Sequence, residues 1–484
     1  MVSHEKINWE NMKKRLPEIG LWCFIIISIG ILITLCFDNG IDFDEAYSYR
    51  TAHDNDFIGI CRAIIEAHDT DVPFYYQMLW LWTRIVGESW LTYRLFSVAG
   101  TAASMILGAT VIRRIWGNGT AWLFVIPMAF SPTLLHISVN IRMYSWTIFM
   151  MTSCAILIFR LVQDPKRKGW IALFLLTLCS LFSHYFTAFY FLFLYLYLLV
   201  GLVRNVREQV WKVFACGGGA LAPFVGWVLL SDFMHYTQGG ETQFGLGKID
   251  LKDMLQYLFR TDIRYSTMMS GIIWAVAILA VLFLRKRFEK QQRFFVFLCL
   301  VIFPIVYLTA GCMASLADHF YTPRHVVHGL GLLWLGIAIV IPRIGREAMC
   351  GMLVFLTMMG QMTYKAEWSS SHRDIPYLAA TQAYIAENMQ PGDIVIYDAE
   401  EKFDLLYGCY MPEQIFYHIS EVTDVSTLTG KRVWYFLCTD GWFDPQTTAK
   451  CEVSSEYMGH YGFQIINNCT DFDLLRLEIR EVAE

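Results

Sequence analysis

The stretch GLWCFIIISIGILITLCFDNGIDFDEAYS, residues 20–48, decides the class of fold. It opens with an apolar run over 20–37, long enough to cross a bilayer hydrocarbon core of about 30 Å. The run follows the basic stretch Lys13-Lys14-Arg15 and lacks the small-residue pattern of a cleaved signal peptide, so it predicts a retained membrane helix. Directly beyond it, Asp42-Phe43-Asp44-Glu45 places three carboxylates within four positions. These acids raise the question of what they do beside a membrane.

The rest of the chain is also typical of a membrane protein. Its 484 residues are 56% hydrophobic and 17% charged, with a mean hydropathy of +0.41. We predict an α-helical polytopic membrane protein with about eleven transmembrane helices. They are expected over 20–37, 91–112, 119–136, 145–162, 169–183, 185–203, 213–230, 268–284, 294–312, 326–342 and 348–363.

Basic residues indicate the orientation, because Lys and Arg in short connections stay on the cytoplasmic side. Every second connection carries them, which predicts a cytoplasmic amino terminus and an extracytoplasmic location for everything after about residue 364. The net charge of −5 indicates topology and not a partner, and no basic, aromatic-interleaved patch suggests nucleic acid. The basic connections contain Arg113-Arg114, Lys166-Arg167-Lys168, Arg204 with Arg207, Arg285 to Arg293, and Arg343 with Arg346.

Two domains are predicted: a transmembrane domain over 1–364 and a small extracytoplasmic α/β domain over 365–484. The first external loop, 38–90, is longer than a helix connection requires. It holds two amphipathic segments, Phe57–Ile65 and Tyr75–Trp82, which we expect to lie as short helices at the membrane interface. In the second domain, strands are predicted over Ile394–Tyr397, Arg432–Leu437 and Phe472–Leu477.

Two explanations of the acid cluster are open: a hydrated loop that ends the first span, or a functional site. The acids lead directly into Ala46-Tyr47-Ser48-Tyr49, which favours an interfacial helix over a flexible loop. Asp42-Phe43-Asp44 also matches the D-x-D pattern of nucleotide-sugar transferases, but nucleotide sugars are cytoplasmic and this loop is predicted to be outside. A sugar carried on a lipid avoids that objection.

A series of short motifs resembles the polyprenyl-phosphate-dependent glycosyltransferases of the C-type (GT-C) superfamily, in particular family 39. That family includes protein O-mannosyltransferases and lipid A aminoarabinose transferases. The resemblance covers residues 20–345. The family commonly has His-Pro-Pro and Arg-Tyr where this chain has Asp71-Val72-Pro73 and Arg324-His325. The motifs are Asp44-Glu45, Asp71-Val72-Pro73-Phe74-Tyr75-Tyr76, Tyr93-Arg94-Leu95-Phe96-Ser97, Ile141-Arg142-Met143-Tyr144, Ser183-His184-Tyr185 and Thr322-Pro323-Arg324-His325.

The resemblance implies transfer of a sugar from undecaprenyl or dolichyl phosphate to an extracytoplasmic hydroxyl, by one inverting displacement. The leaving phosphate is already ionised, whereas the acceptor hydroxyl needs a base. Asp44 is the expected base, with Glu45 orienting or binding.

Arg142 and Arg324 are expected to bind the donor phosphate, since the guanidinium fork matches its oxygens. A boundary arginine that only anchors its helix is the other explanation. Further candidates are His184, Tyr185 and Tyr144 for the donor, and Asp71, Tyr75 and His325 for the acceptor or the loop.

The expected partners are a polyprenyl-phosphate sugar, membrane lipids, and a lipid, glycan or protein acceptor. No metal ligands are predicted, and related groups differ in their use of a divalent metal, so the cofactor stays open. We expect a bacterial plasma-membrane protein. The alternative is a lipid or glycolipid transporter or flippase, which predicts ionisable residues deep within the spans, whereas here they lie near span ends.

Overall fold

The computed structural model describes residues 9–37, 41–66, 71–231, 266–317, 323–373, 383, 385–397, 404, 408–418, 421–422, 428, 430–438, 464–472 and 477–483. The chain forms two compact units, one of Met1–Phe37 with Thr51–Glu367 and one of Asp38–Arg50 with Trp368–Glu484. Polar residues of two external loops lie outside the described ranges. In the first loop they are His68, Asp69 and Thr70; in the loop after residue 231 they are His235, Glu241, Lys248 and Asp250, for which contact with the acceptor stays a prediction.

Helices make up the described part of the first unit, and most of α2 and the end of α16 belong to the second unit. A π-helical turn over Gly108–Ile112 joins α5 to α6, and a 3-10 helix over Pro323–Gly329 leads into α15. The helices are α1 (Trp9–Thr34), α2 (Phe43–His53), α3 (Gly59–Glu66), α4 (Phe74–Val86), α5 (Trp90–Leu107), α6 (Arg113–Trp116), α7 (Asn118–Phe130), α8 (Pro132–Val139), α9 (Tyr144–Gln163), α10 (Arg167–Leu181), α11 (Thr187–Asn205), α12 (Val210–Leu230), α13 (Ser266–Phe283), α14 (Lys290–Ala317), α15 (Leu330–Ile344) and α16 (Arg346–Arg373).

Every predicted membrane window overlaps one or two of these helices, which confirms a helical polytopic membrane protein. Within the described residues, seven helices are long and apolar enough to cross a membrane, or eight if α7 and α8 form one span. The windows over 169–183, 268–284 and 348–363 are helical, but α10 has only 15 residues, α13 has a shorter apolar part, and α16 is less apolar. For these three windows, membrane crossing stays a prediction.

The window over 119–136 is broken. Helices α7 and α8 meet at an angle of 58° instead of forming the single straight span that was predicted. The cause is Pro132 at the first position of α8: proline disfavours helical backbone in the residue before it, and Ser131 is extended, with φ −68° and ψ 139°.

The core lies around α15. In the membrane span that contains α15, 94% of the residues are buried inside the protein, whereas in the spans that contain α1 and α12 only 22% are buried. Helix α15 packs against α7, α9 and α14. Its sequence is apolar on all sides from Leu330 to Ile341, as expected for a helix enclosed by others. The 3-10 helix before α15 is thereby fixed against α9 and α14.

The two amphipathic segments of the first loop form α3 and α4, as predicted. Pro73 precedes the first residue of α4, where its missing N–H costs nothing. The N–H of Phe74 donates to the carbonyl of Phe182 at 2.9 Å, so the start of α4 is tied to the connection between α10 and α11.

The second unit contains a five-stranded sheet in the order β2-β1-β3-β5-β4. Strands β2, β1 and β3 are parallel, and β5 pairs antiparallel with β3 and β4. The predictions for β1 and β3 are confirmed, the latter shifted by one residue. Of the strand predicted over Phe472–Leu477, only the two end residues are described, Phe472 as the last residue of β4 and Leu477 as the first of β5; residues 473–476 lie outside the described ranges. The strands are β1 (Ile394–Tyr397), β2 (Ile415–His418), β3 (Val433–Cys438), β4 (Gln464–Phe472) and β5 (Leu477–Ala483).

Candidate active site

Two of the three clustered acids form the amino-terminal cap of α2. The N–H of Glu45 donates to Asp42 Oδ1 at 2.8 Å, and the N–H of Asp42 donates to Glu45 Oε2 at 3.3 Å. This reciprocal pair is a capping box, with Asp42 at the N-cap and Glu45 three residues later. Glu45 is 3% exposed, and Asp44, between them, is half-buried and takes no part in the box.

The segment that carries these acids belongs to the second unit. The N–H of Ile41 donates to the hydroxyl of Tyr410 at 3.1 Å, and Arg50 Nη1 donates to the carbonyl of Asp404 at 3.4 Å. The hydroxyl of Ser48 donates to the carbonyl of Asp44 at 3.0 Å. Bonds therefore hold the start of α2 on both sides of Asp44.

In the first unit, three histidines form a second group, here called the histidine cluster: His184, His325 and His328. The rings of His184 and His328 are 4.2 Å apart between centroids, and those of His184 and His325 are 6.0 Å apart. Tyr185 stacks on His184 at 4.9 Å, and Tyr144 lies 5.9 Å from the same ring. Sequence-predicted residues from three separate segments therefore meet here.

The connection between α10 and α11 fixes His184. Its N–H donates to the carbonyl of Ser180 at 3.1 Å, and Thr187 Oγ1 donates to the carbonyl of His184 at 2.7 Å. The N–H of Phe186 donates to His184 Nδ1 at 3.3 Å. This tight turn was predicted, and the bonds inside it give the ring a fixed place.

The 3-10 helix supplies His325 and His328. It is held against α11 by the hydroxyl of Tyr190, which donates to the carbonyl of Val326 at 2.6 Å. His328 is fully buried, and its Nδ1 lies 2.7 Å from Thr147 Oγ1 of α9. Sequence reasoning missed His328. The signal was its spacing of three from His325, which places both on one face of a 3-10 helix.

The cluster is electropositive. Burial lowers the pKa of His184 well below its usual range, and His328, His325, Arg142 and Arg324 lower it further. Both arginines lie close enough to His184 for their charges to act on it. Arg142 is half-buried, and Arg324 is exposed. A neutral imidazole beside two guanidinium groups is suited to bind an anion.

Asp71 and Tyr75 make other contacts. The hydroxyl of Tyr76 donates to Asp71 Oδ2 at 2.5 Å, and Trp227 Nε1 donates to the carbonyl of Asp71 at 3.4 Å. Tyr75 is 2% exposed, and its ring lies 5.7 Å from that of Phe96. These contacts give both residues a packing role, and their part in acceptor binding stays a prediction. Among the described residues, no group of three His, Cys, Asp or Glu side chains is arranged to hold a metal ion.

The helices and the sheet define a polytopic membrane protein of the GT-C class of fold. The chain is similar to the crystal structure of ArnT from Cupriavidus metallidurans in the apo state, with a TM-score of 0.56 and 11% identity over 96% of this chain and 98% of that one. It is similar to the same protein bound to undecaprenyl phosphate, with a TM-score of 0.58, 12% identity and the same coverage. No family model matches the chain, and no curated protein matches it by sequence. The likeness shows the fold that the motifs predicted.

Proposed function

We propose that this protein is a membrane glycosyltransferase that moves a sugar from a polyprenyl-phosphate donor to an acceptor hydroxyl. The observation that supports it most is the electropositive histidine cluster with Arg142 and Arg324 nearby, in a fold shared with a protein that binds undecaprenyl phosphate. A lipid-linked phosphate requires cations at the end of a membrane helix bundle, and Arg324 begins one of the spans.

The phosphate is assigned to Arg142 and Arg324. Both side chains offer several N–H groups in a planar fork, which binds phosphate oxygens in pairs. His184 and Tyr185 add hydrogen-bond donors beside them, and Tyr144 and His325 border the same cluster. Burial lowers the pKa of His184, so its neutral imidazole contributes a donor without adding further charge.

The chemistry is assigned to Asp44, with an inverting displacement. The acceptor oxygen forms a bond to the anomeric carbon as the bond from that carbon to the phosphate oxygen breaks. The acceptor proton goes to the Asp44 carboxylate, and the lipid phosphate leaves as an anion. Asp44 is the member of the acid cluster outside the capping box. Glu45 binds the backbone of Asp42 and thereby orients the first turn that carries Asp44.

The reaction is placed on the extracytoplasmic side of a bacterial plasma membrane, with the amino terminus in the cytoplasm. This orientation rests on the basic residues in alternate connections. The acceptor is a hydroxyl of a lipid, a glycan or a protein at that surface. Residues 365–484 are proposed as an extracytoplasmic domain that helps to dock it.

The test is transfer of radiolabelled sugar from a panel of undecaprenyl-phosphate sugars to membrane extract by the purified protein. Asp44→Asn is expected to bind the donor but to turn it over at least about a hundredfold more slowly, since a general base contributes about this much or more. Asp42→Asn is the matched control: it removes a carboxylate two positions away, and asparagine is as good an N-cap as aspartate. The control should retain most of the activity.

Equal loss in the two variants would refute Asp44 as the base, because the effect would then belong to the helix terminus. Full activity in Asp44→Asn would place the base elsewhere. If the wild type consumes no donor from the panel, the transferase is refuted, and lipid flipping in liposomes tests the transporter instead.

A further inference from the structure

One end of the helix bundle carries a dense group of basic residues, here called the basic cluster. It comes from two connections, one between α13 and α14 and one between α15 and α16. Residues 285–293 and 343–347 contain its seven members but only two acids, Glu289 and Glu347, so the cluster has a large excess of positive charge. The members are Arg285, Lys286, Arg287, Lys290, Arg293, Arg343 and Arg346.

The side chain of Arg287 joins the two connections. Its Nη1 donates to the carbonyl of Ile344 at 3.0 Å and also to the carbonyl of Arg343. The guanidinium of Arg343 in turn lies 5.0 Å from the centre of the Phe288 ring. Nε and Nη2 of Arg287 make no hydrogen bond within the described residues, so an anchored guanidinium keeps N–H donors for a ligand.

The positive charge of the cluster is not neutralised by the protein. In the part of the chain that the structure describes, no member forms an ion pair with a carboxylate. Two other basic connections differ: Arg113 lies 2.7 Å from Glu18, and Lys166 lies 2.5 Å from Asp164. Orientation in the membrane is served by paired and unpaired basic residues alike, so it does not explain this difference. The cluster is suited to an anionic partner.

The cluster lies at a boundary of the membrane. The candidate span of α14 begins at Lys290, and that of α15 ends at Ile344. Two phenylalanines adjoin the cluster: Phe283, at the end of α13, is 78% exposed, and Phe294, near the start of α14, is 49% exposed. An occupant must therefore offer an anionic group to the cluster and an apolar part to these rings. An anionic phospholipid has both, whereas free phosphate and nucleic acid lack the apolar part.

We propose that the basic cluster binds the headgroup of an anionic phospholipid. Arg287 presents its remaining N–H groups to the phosphate oxygens, and the other basic residues add positive charge around them. The site is separate from the phosphate site of the proposed function, because Arg324 begins the span of α15 and Arg343 lies at its other end. The inference therefore does not rest on sugar transfer.

The measurement is fluorescence anisotropy of phosphatidylglycerol with a labelled acyl chain, titrated with the full-length protein in a neutral detergent. Wild type should bind this lipid at least about tenfold more tightly than phosphatidylcholine with the same label, at about 0.1 M salt. The preference should shrink at about 0.5 M salt, because the screening length falls from about 10 Å to about 4 Å.

A triple variant, Arg285→Gln, Lys286→Gln, Lys290→Gln, tests the cluster directly. It removes three exposed charges and leaves the bonds of Arg287 in place. Each basic residue near an anionic surface is equivalent to about fivefold in affinity, so the variant should bind phosphatidylglycerol at least about tenfold more weakly. Its binding of phosphatidylcholine should equal that of wild type.

Two matched variants separate charge at this site from fold and from net charge. Arg285→Lys, Lys286→Arg, Lys290→Arg keeps all three charges and should bind phosphatidylglycerol as wild type does. Arg114→Gln, Arg167→Gln, Lys168→Gln removes the same charge from exposed positions in other basic connections and should leave that affinity nearly unchanged.

An absence of preference for phosphatidylglycerol in wild type would overturn the proposal. Equal loss in the two glutamine variants would overturn it as well, since the effect would then follow net charge. Displacement of phosphatidylglycerol by inorganic phosphate, at an ionic strength held constant with chloride, would indicate an anion site without an apolar part and rule out the lipid. The transferase is tested separately by Asp44→Asn, so each proposal can fail alone.

Discussion

Gly331 is a position at which α15, the helix that follows the histidines of the 3-10 helix, depends on close packing. It lies in the first turn of α15, where an added Cβ would collide with Thr152 Oγ1 and lie 2.9 Å from Ile148 Cγ2, both on α9. Overpacking of this kind costs about 1–3 kcal/mol, against a gain in helix propensity of at most about 1 kcal/mol. Gly331→Ala should therefore destabilise the protein by about 1–2 kcal/mol.

The free energy of unfolding in detergent measures this effect, with Gly351→Ala as the control. Nothing lies within 4 Å of a Cβ at Gly351 in α16, so this change should be neutral or stabilising by up to about 1 kcal/mol. The double variant Gly331→Ala, Thr152→Ala should recover much of the loss, because Thr152 Oγ1 is buried without a partner in the described residues. Equal stability of Gly331→Ala and Gly351→Ala would refute the packing explanation.

Two further predictions concern charge. His184 has a lowered pKa in the folded protein, so the unfolded state binds more protons below about pH 6.5. Stability should be full above that pH and fall as the pH drops, by about 1.4 kcal/mol per pH unit for this residue. His184→Asn should flatten this slope in unfolding measured from pH 7 to pH 5, and an unchanged slope would contradict the assignment. Arg142→Lys and Arg324→Lys keep the charge but lose the fork, so each should weaken binding of undecaprenyl phosphate about tenfold or more, measured by titration. Binding equal to wild type would indicate an arginine that only anchors its helix.

The sequence predicted much of the helical unit because its signal is local. Apolar windows marked every membrane helix, and the short connection around His184 gave the tight turn. The bend at Ser131 was missed because Pro132 was counted as one residue of an apolar run, although proline constrains the residue before it. The sheet order and β2 were also beyond reach, since both depend on pairing between residues far apart in the chain.

For the candidate site, too, the sequence predicted the residues that have a local signal and missed one that depends on long-range packing. Arg142, His184 and His325 could be selected because each lies at the end of an apolar window, where a charged or titratable residue is conspicuous. His328 was missed, since it lies inside the window over 326–342 and was counted as part of a span. Its bond to Thr147 joins residues that are 181 positions apart, and only the packing of the 3-10 helix on α9 brings them together.

The capping box gives two of the three clustered acids a structural role. A cluster of three carboxylates invites the assignment of a pair to catalysis, but Asp42 and Glu45 bind each other's backbone N–H groups at the start of α2. Their spacing of three was visible in the sequence as a helix signal. Each of these bonds uses one lone pair of its carboxylate and holds the side chain in a fixed orientation at the start of the helix. Asp44 lies outside the box, in a turn that the box holds in place, and for this reason we propose it as the base.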